Sequence, residues 1–169
     1  EANQRLSRFQ KLNKSITIKS LFELIEGLSG GAIEILNIIT NPNKTELSNN
    51  IGSKNKDGDE TKSLDIIADK IIERVSKNNF VKWYASEEQE EILSLNEKGV
   101  YALSVDPLDG SSNIETNAPI GTIFSIYVAN SKPEHSVLQK GELQLAAGFF
   151  IYGPRTILVL TFGSGTMAF

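Results

Sequence analysis

The apolar residues of this 169-residue chain change their spacing near residue 80, from a helical repeat to short strand-like runs. Leu21, Leu24, Ile25, Leu28, Ala32, Ile35, Leu36 and Ile39 recur at roughly 3.6 residues and predict a long helix over 16–40. Leu64, Ile67, Ala68, Ile71, Ile72 and Val75 form one stripe and predict a second helix over 63–78, with Asp65 and Asp69 one turn apart at its edge. An apolar stretch follows at Phe80–Ala85, then strand-like runs at Val100–Val105, Gly121–Ala129, Leu145–Tyr152, Thr156–Phe162 and Thr166–Phe169, the later ones punctuated by Pro and Gly. Helices first, then adjacent strands, favour an α+β layer, with helices packed on a largely antiparallel sheet, over a doubly wound fold. The predicted division is helical over 1–79 and sheet-rich over 80–169.

Leu6, Phe9 and Leu12 are spaced for a short helix or a frayed arm over 1–13. Gly27, Gly30 and Gly31 weaken the long helix, at about 1 kcal/mol each relative to Ala, and also allow another helix to approach closely. Asn41-Pro42-Asn43 ends it. Residues 43–62 are polar and read as a long, mobile loop. The chain opens without Met and stops inside a strand-like pattern, so a piece of a longer polypeptide is expected.

Composition then narrows the chemistry. There is no cysteine, which removes disulfides, thiolate zinc sites and thiol nucleophiles. A single histidine, His135, removes a multi-histidine metal site; its polar loop predicts exposure. The net charge of −4 argues against a nucleic-acid partner. No apolar run reaches the roughly 18 residues of a membrane span, and no signal peptide is visible, so the expected compartment is the cytoplasm. Carboxylates, hydroxyls and backbone amides remain.

The segment Asp106-Pro107-Leu108-Asp109-Gly110-Ser111-Ser112-Asn113 concentrates these groups. The preceding strand is expected to stop at Asp106-Pro107, because proline cannot continue a central ladder. Asp109 can then return beside Asp106. Gly110 permits an unusual φ and leaves room for a ligand against the backbone. Ser111, Ser112 and Asn113 can open a short helix whose amides face an anion. The alternative is an Asx-type turn and N-cap with no ligand. Two carboxylates beside an anion-binding turn suit Mg²⁺, which takes one or two carboxylates and shares phosphate oxygens.

Glu87-Glu88 stands where an apolar stretch ends and can point into the same site, whereas Glu90 and Glu91 read as a solvated face. On their own, Asp65 and Asp59 read as ordinary helix and loop acids. Trp83 and Tyr84 read as core or interface residues.

The octet, followed by Ile114 and by Gly121-Thr122-Ile123-Phe124-Ser125-Ile126-Tyr127, closely resembles the fructose-1,6-bisphosphatases of the Mg²⁺-dependent, lithium-sensitive phosphatase superfamily. Gly58–Asp65, Ala85–Glu88 and Gln144–Pro154 match further segments in order and spacing. The resemblance covers about residues 16–169 and only the first half of the family's polypeptide. It implies the N-terminal half of a layered α/β sugar-phosphatase fold. It further implies hydrolysis of the 1-phosphate of fructose 1,6-bisphosphate by metal-activated water. Glu87, Asp106 and Asp109 match metal carboxylates, and the Leu108 carbonyl a backbone metal ligand. Glu88 and Asp65 match the acids that help activate water, and Asp59 the acid of a mobile closing loop. Gly110, Ser111, Ser112 and Asn113 match the phosphate-binding turn.

The implied cofactor is Mg²⁺, with Mn²⁺ the alternative, and the implied partners are a sugar bisphosphate and further copies in a homodimer or tetramer. The family's remaining metal Glu and its sugar-binding residues lie in the second half, so weak or no activity is expected of this chain alone. Sedoheptulose-1,7-bisphosphatase, an inositol-phosphatase-like phosphomonoesterase and a non-catalytic metal-binding fragment stay open. Of the relatives' allosteric nucleotide site Tyr101 is kept, while Val100 and Val128 stand where its Lys and Arg would be. Gly27-Leu28-Ser29-Gly30-Gly31 stands at its glycine turn, where Gly30-Gly31 capping a helix near a phosphate stays open.

Overall fold

The structure is a computed structural model that describes residues 18–41 and 58–169, with the backbone alone over 58–63. The expected arm over 1–13 and most of the expected loop over 43–62 lie outside the described residues.

Helix α1 spans Ile18–Thr40 and buries Leu21, Leu24, Ile25, Leu28, Ala32 and Ile35, the stripe read from the sequence. Helix α2 spans Gly58–Asn78 and lies against α1. It begins five residues before the expected start at 63. Asp59 is therefore in the first helical turn, not in a loop, because 58–62 contain no proline and carry Asp59 and Glu60 where the helix dipole favours acids. A Cβ on Gly31 would approach Ile72 Cδ1 at 3.2 Å and Ile71 Cγ2 at 3.4 Å, so this glycine lets the two helices close on each other.

The helices cover one seven-stranded sheet: β1 (Val81–Ser86), β2 (Leu93–Ser94), β3 (Tyr101–Asp109), β4 (Ile120–Val128), β5 (Ala146–Tyr152), β6 (Ile157–Thr161) and β7 (Met167–Ala168). Its order is β2-β1-β3-β4-β5-β6-β7. From β3 to β7 each strand pairs antiparallel with the next. Among the described strands, β1 and β3 are the parallel pair. The expected helix-on-sheet layering is thus present, with one parallel pair in a largely antiparallel sheet. A short helix α3 (Pro133–Val137) and 3₁₀ turns at Ser111–Asn113 and Gly141–Leu143 fill the connections.

One core joins the layers. Leu24, Leu28 and Ile72 from the helices meet Val81, Tyr84, Tyr101, Leu103 and Ile126 from the sheet, all fully buried. Each such aliphatic side chain contributes about 1.5–3 kcal/mol on leaving water.

Strand β3 does not stop at Asp106-Pro107 as expected. It runs on to Asp109 through a bulge: Asp106 faces Ile123 and Asp109 faces Gly121, three steps on β3 against two on β4. Pro107 occupies the bulge, where its missing N–H breaks no regular ladder bond. Its carbonyl accepts a hydrogen bond from Thr122 Oγ1 at 2.7 Å.

Candidate active site

The parallel pairing of β1 and β3 brings the acids together. Ser86 is level with Val105, and the Glu87 amide donates to the Val105 carbonyl at 3.1 Å. Glu87 and Asp106 therefore lie level, at the C-terminal side of the parallel pair, the side on which open sheets commonly bind ligands. Glu87 and Glu88 are exposed in the turn after β1, and Asp106 is half-buried.

Past the bulge, Leu108 is buried at 4% exposure and its amide donates to Asp106 Oδ1 at 3.2 Å, while Asp109 is exposed. Gly110 has φ 77°, the left-handed conformation anticipated for it, and caps the 3₁₀ turn Ser111–Asn113. The first amides of such a turn have no partner within it. Asn113 differs from its expected role. Its amide donates to the Gly110 carbonyl at 2.8 Å and its side chain to the Pro119 carbonyl at 3.4 Å, so both donors hold the loop rather than face a ligand.

Helix α2 adds Asp65. Ser111 Oγ donates to Asp65 Oδ2 at 3.2 Å, while Asp65 Oδ1 is buried without a hydrogen-bond partner. Burial pushes the Asp65 carboxyl above the usual range; the Ser111 hydroxyl pulls it down and the charge of Glu87 raises it again. Burial likewise raises Asp106, opposed by the Leu108 amide and assisted by Asp109, Glu87 and Asp65. Glu88 is exposed overall, yet desolvation at its carboxyl, a hydrogen bond shared with Glu87 and the charges of Asp65, Glu87 and Asp69 push it up to about 7. Asp65, Glu87, Glu88, Asp106 and Asp109 thus form one electrostatic cluster with no basic group among the causes of these shifts. The side chain of Asp59 lies outside the described residues.

Among the described residues, no three such groups converge closely enough to hold a metal ion as they stand. The donor chemistry nevertheless fits a hard divalent cation: carboxylate oxygens, a backbone carbonyl and the buried, unpartnered Asp65 Oδ1. Glu87 and Asp109 are exposed, and side-chain rotation can re-aim both.

Beside the acids runs a trough. Ser104, Ser125, Ala147 and Thr161 lie level across β3 to β6. The trough of about 730 Å³ follows this row and reaches Glu87 and Asp106.

Sequence reasoning passed over Asp69. It is 2% exposed and accepts hydrogen bonds from the Tyr84 hydroxyl at 2.7 Å and from Gln89 Nε2 at 2.5 Å. Its one signal was a spacing of four from Asp65. Trp83 and Tyr84 serve the framework as expected: Tyr84 is fully buried, and Trp83 Nε1 donates to the Asn130 carbonyl at 2.8 Å. His135, Glu90 and Glu91 are exposed.

Residues 6–169 match the family model described as fructose-1-6-bisphosphatase, N-terminal domain. A class 1 fructose-1,6-bisphosphatase of Cereibacter sphaeroides is 43% identical over 149 residues, 88% of this chain and 45% of that protein. One from Paracoccus denitrificans is 48% identical over 120 residues, 71% of this chain and 36% of that protein. The crystal structure of Leishmania major fructose-1,6-bisphosphatase in holo form superposes with a TM-score of 0.74 at 25% identity, covering 95% of this chain and 52% of that one. The chain therefore spans about half the length of the relatives it matches. The helix-on-sheet fold agrees with the structural match, and the chain belongs to the fructose-1,6-bisphosphatase family.

Proposed function

We propose that the complete protein encoded by this gene hydrolyses the 1-phosphate of fructose 1,6-bisphosphate to fructose 6-phosphate and phosphate. In this reading the chain is the N-terminal domain, helical over 1–79 and sheet-rich over 80–169, and supplies the metal and phosphate side of the site. The observation that carries the reading is the meeting of three elements: Glu87 after β1, Asp106 just before the bulge of β3, and Asp65 of α2 bonded to the Gly110–Ser112 turn. The curated relatives that the chain matches bear the fructose-1,6-bisphosphatase name.

Glu87, Asp106, Asp109 and the Leu108 carbonyl would hold a divalent cation, Mg²⁺ in preference with Mn²⁺ as the alternative. When bound, that cation neutralises phosphoryl oxygens and acidifies water. The amides of Gly110, Ser111 and Ser112 orient the phosphate, whose transfer depends mainly on positioning and charge compensation. Glu88, with its carboxyl near 7, and Asp65 are the acids suited to take the proton of the attacking water. Asp59, in the first turn of α2, joins them in this proposal as the acid that approaches when the site closes.

The complete protein is proposed to act in the cytoplasm as a homodimer or tetramer on a small sugar bisphosphate, with no nucleic-acid or membrane partner. No described helix is long and apolar enough to cross a membrane. The test is phosphate release from fructose 1,6-bisphosphate with Mg²⁺, with EDTA, and after Asp109→Ala. Release that needs Mg²⁺ and is lost in the variant supports the proposal. No release by the folded, Mg²⁺-supplied protein overturns it and turns attention to sedoheptulose and inositol phosphates.

A further inference from the structure

We propose that Asp69 is a positioning residue that, through Gln89 and Tyr84, ties the Glu87–Glu88 turn to helix α2 and so sets its distance from Asp65. The proposal rests on the phosphatase reading above. Asp69 is 2% exposed, and the three ion pairs among the described residues do not include it. A carboxylate buried to this extent is costly unless its hydrogen bonds are made. Its two bonds are specific. Tyr84 Oη donates to Asp69 Oδ1 from β1, three residues before Glu87. Gln89 Nε2 donates to Asp69 Oδ2 from the residue after Glu88. The two bonds therefore bracket the acidic turn from both sides.

One turn earlier on the same helix, Asp65 accepts from Ser111 of the Gly110 turn. Helix α2 thus holds both acid-bearing segments through carboxylates four residues apart, on one face. The turn has bonds of its own, since the Glu88 amide donates to Ser86 Oγ at 3.2 Å and the Gln89 amide to the Ser86 carbonyl at 3.2 Å. These fix its local shape but not its place relative to α2. The Glu87 amide ties the turn to β3 through the Val105 carbonyl. Among the described residues, the hydrogen bonds that run from β1 and this turn to α2 are those to Asp69, which oppose the like charges of Glu87, Glu88 and Asp65. Removing the tether should therefore loosen metal binding before it harms the fold.

The test uses the complete protein and two readouts: Mn²⁺ binding followed by electron paramagnetic resonance without substrate, and phosphate release as a function of Mg²⁺. Gln89→Ala should raise the half-saturating concentration of each metal by about tenfold, as loss of an outer hydrogen bond to a metal site does. Its turnover at saturating Mg²⁺ should stay close to that of the unmodified protein, while its melting temperature falls by a few degrees because Asp69 Oδ2 loses its partner. Asp69→Asn should bind Mn²⁺ as the unmodified protein does. Its carbonyl can accept from Tyr84, and its amide can donate to Gln89 with that side chain turned over. Unchanged Mn²⁺ affinity in Gln89→Ala would overturn the tether, as would a loss confined to Asp69→Asn. If the unmodified protein holds Mn²⁺ no better than Asp109→Ala does, the phosphatase reading fails and the tether's role fails with it.

Discussion

The Ser111 hydroxyl and the Asp65 carboxylate lie 3.2 Å apart, joining the turn after β3 to helix α2 across 46 positions of sequence. That bond opposes the burial that raises Asp65. Ser111→Ala should therefore push the Asp65 carboxyl further up and move the acidic limb of the kcat/KM–pH profile of the complete protein to higher pH. Stability should fall by about 1 kcal/mol, the usual net worth of one such bond. An unmoved acidic limb would show that Asp65 takes no part in the titration that governs the reaction.

Gly110 sits at φ 77°, and a Cβ there would come within 3.2 Å of both Asn113 Nδ2 and the Pro119 carbonyl. Gly110→Ala should cost about 1–2 kcal/mol from the left-handed backbone alone. It should also disturb the amides proposed to hold phosphate. Chemical denaturation reads the first effect. A raised KM or inhibition constant for phosphate-bearing ligands reads the second.

Stability without metal should fall as pH rises. Burial raises Asp65 and Asp106, and Glu88 is pushed up to about 7. A carboxyl that is raised on folding contributes stability in full below its unfolded value, about 4.3 for Glu, and loses it as pH rises through the folded value. In EDTA the melting temperature should therefore be higher at pH 5 than at pH 8, with Glu88→Gln flattening the upper part of the slope. Mg²⁺ added at pH 8 should restore the loss, because a ligand that binds only the folded state stabilises it. A melting temperature that rises from pH 5 to pH 8 in EDTA would contradict the cluster's electrostatics.

These residues also show where the sequence was legible. The helix stripes, the runs that become β3 to β7 and the left-handed Gly110 follow from local pattern and backbone sterics, and the structure has them. Four features depend on non-local contacts and were not readable. Strand β3 continues through Pro107 because a bulge opposite Thr122 accepts it. The parallel pairing of β1 with β3, which sets Glu87 beside Asp106, joins segments that are not neighbours along the chain. The pattern placed Asp69 only at the edge of a helical stripe, because its burial beneath Tyr84 and Gln89 is a tertiary fact. The amide and side chain of Asn113 looked available until the loop to Pro119 folded back on them.

The region around Tyr101 yields a regulatory prediction. Val100, Tyr101 and Val128 are 4%, 0% and 9% exposed, and the Tyr101 hydroxyl lies 2.6 Å from Ser20 Oγ of α1. The two valines offer a nucleotide phosphate no charge or hydrogen-bond donor from their side chains. Adding AMP to the complete protein should leave its phosphatase activity unchanged. Inhibition by AMP that survives in a Tyr101→Phe variant would place a nucleotide site elsewhere.

Phosphate release from fructose 1,6-bisphosphate by the complete protein, titrated with Mg²⁺, tests the central claim most directly. Release should be absent in EDTA, saturate with Mg²⁺, and fall by at least about a hundredfold in Asp109→Ala, as loss of a group acting on the transferring phosphoryl does. Mg²⁺-independent release, or full activity in Asp109→Ala, would contradict the assignment of this carboxylate cluster as the metal site of a sugar bisphosphatase.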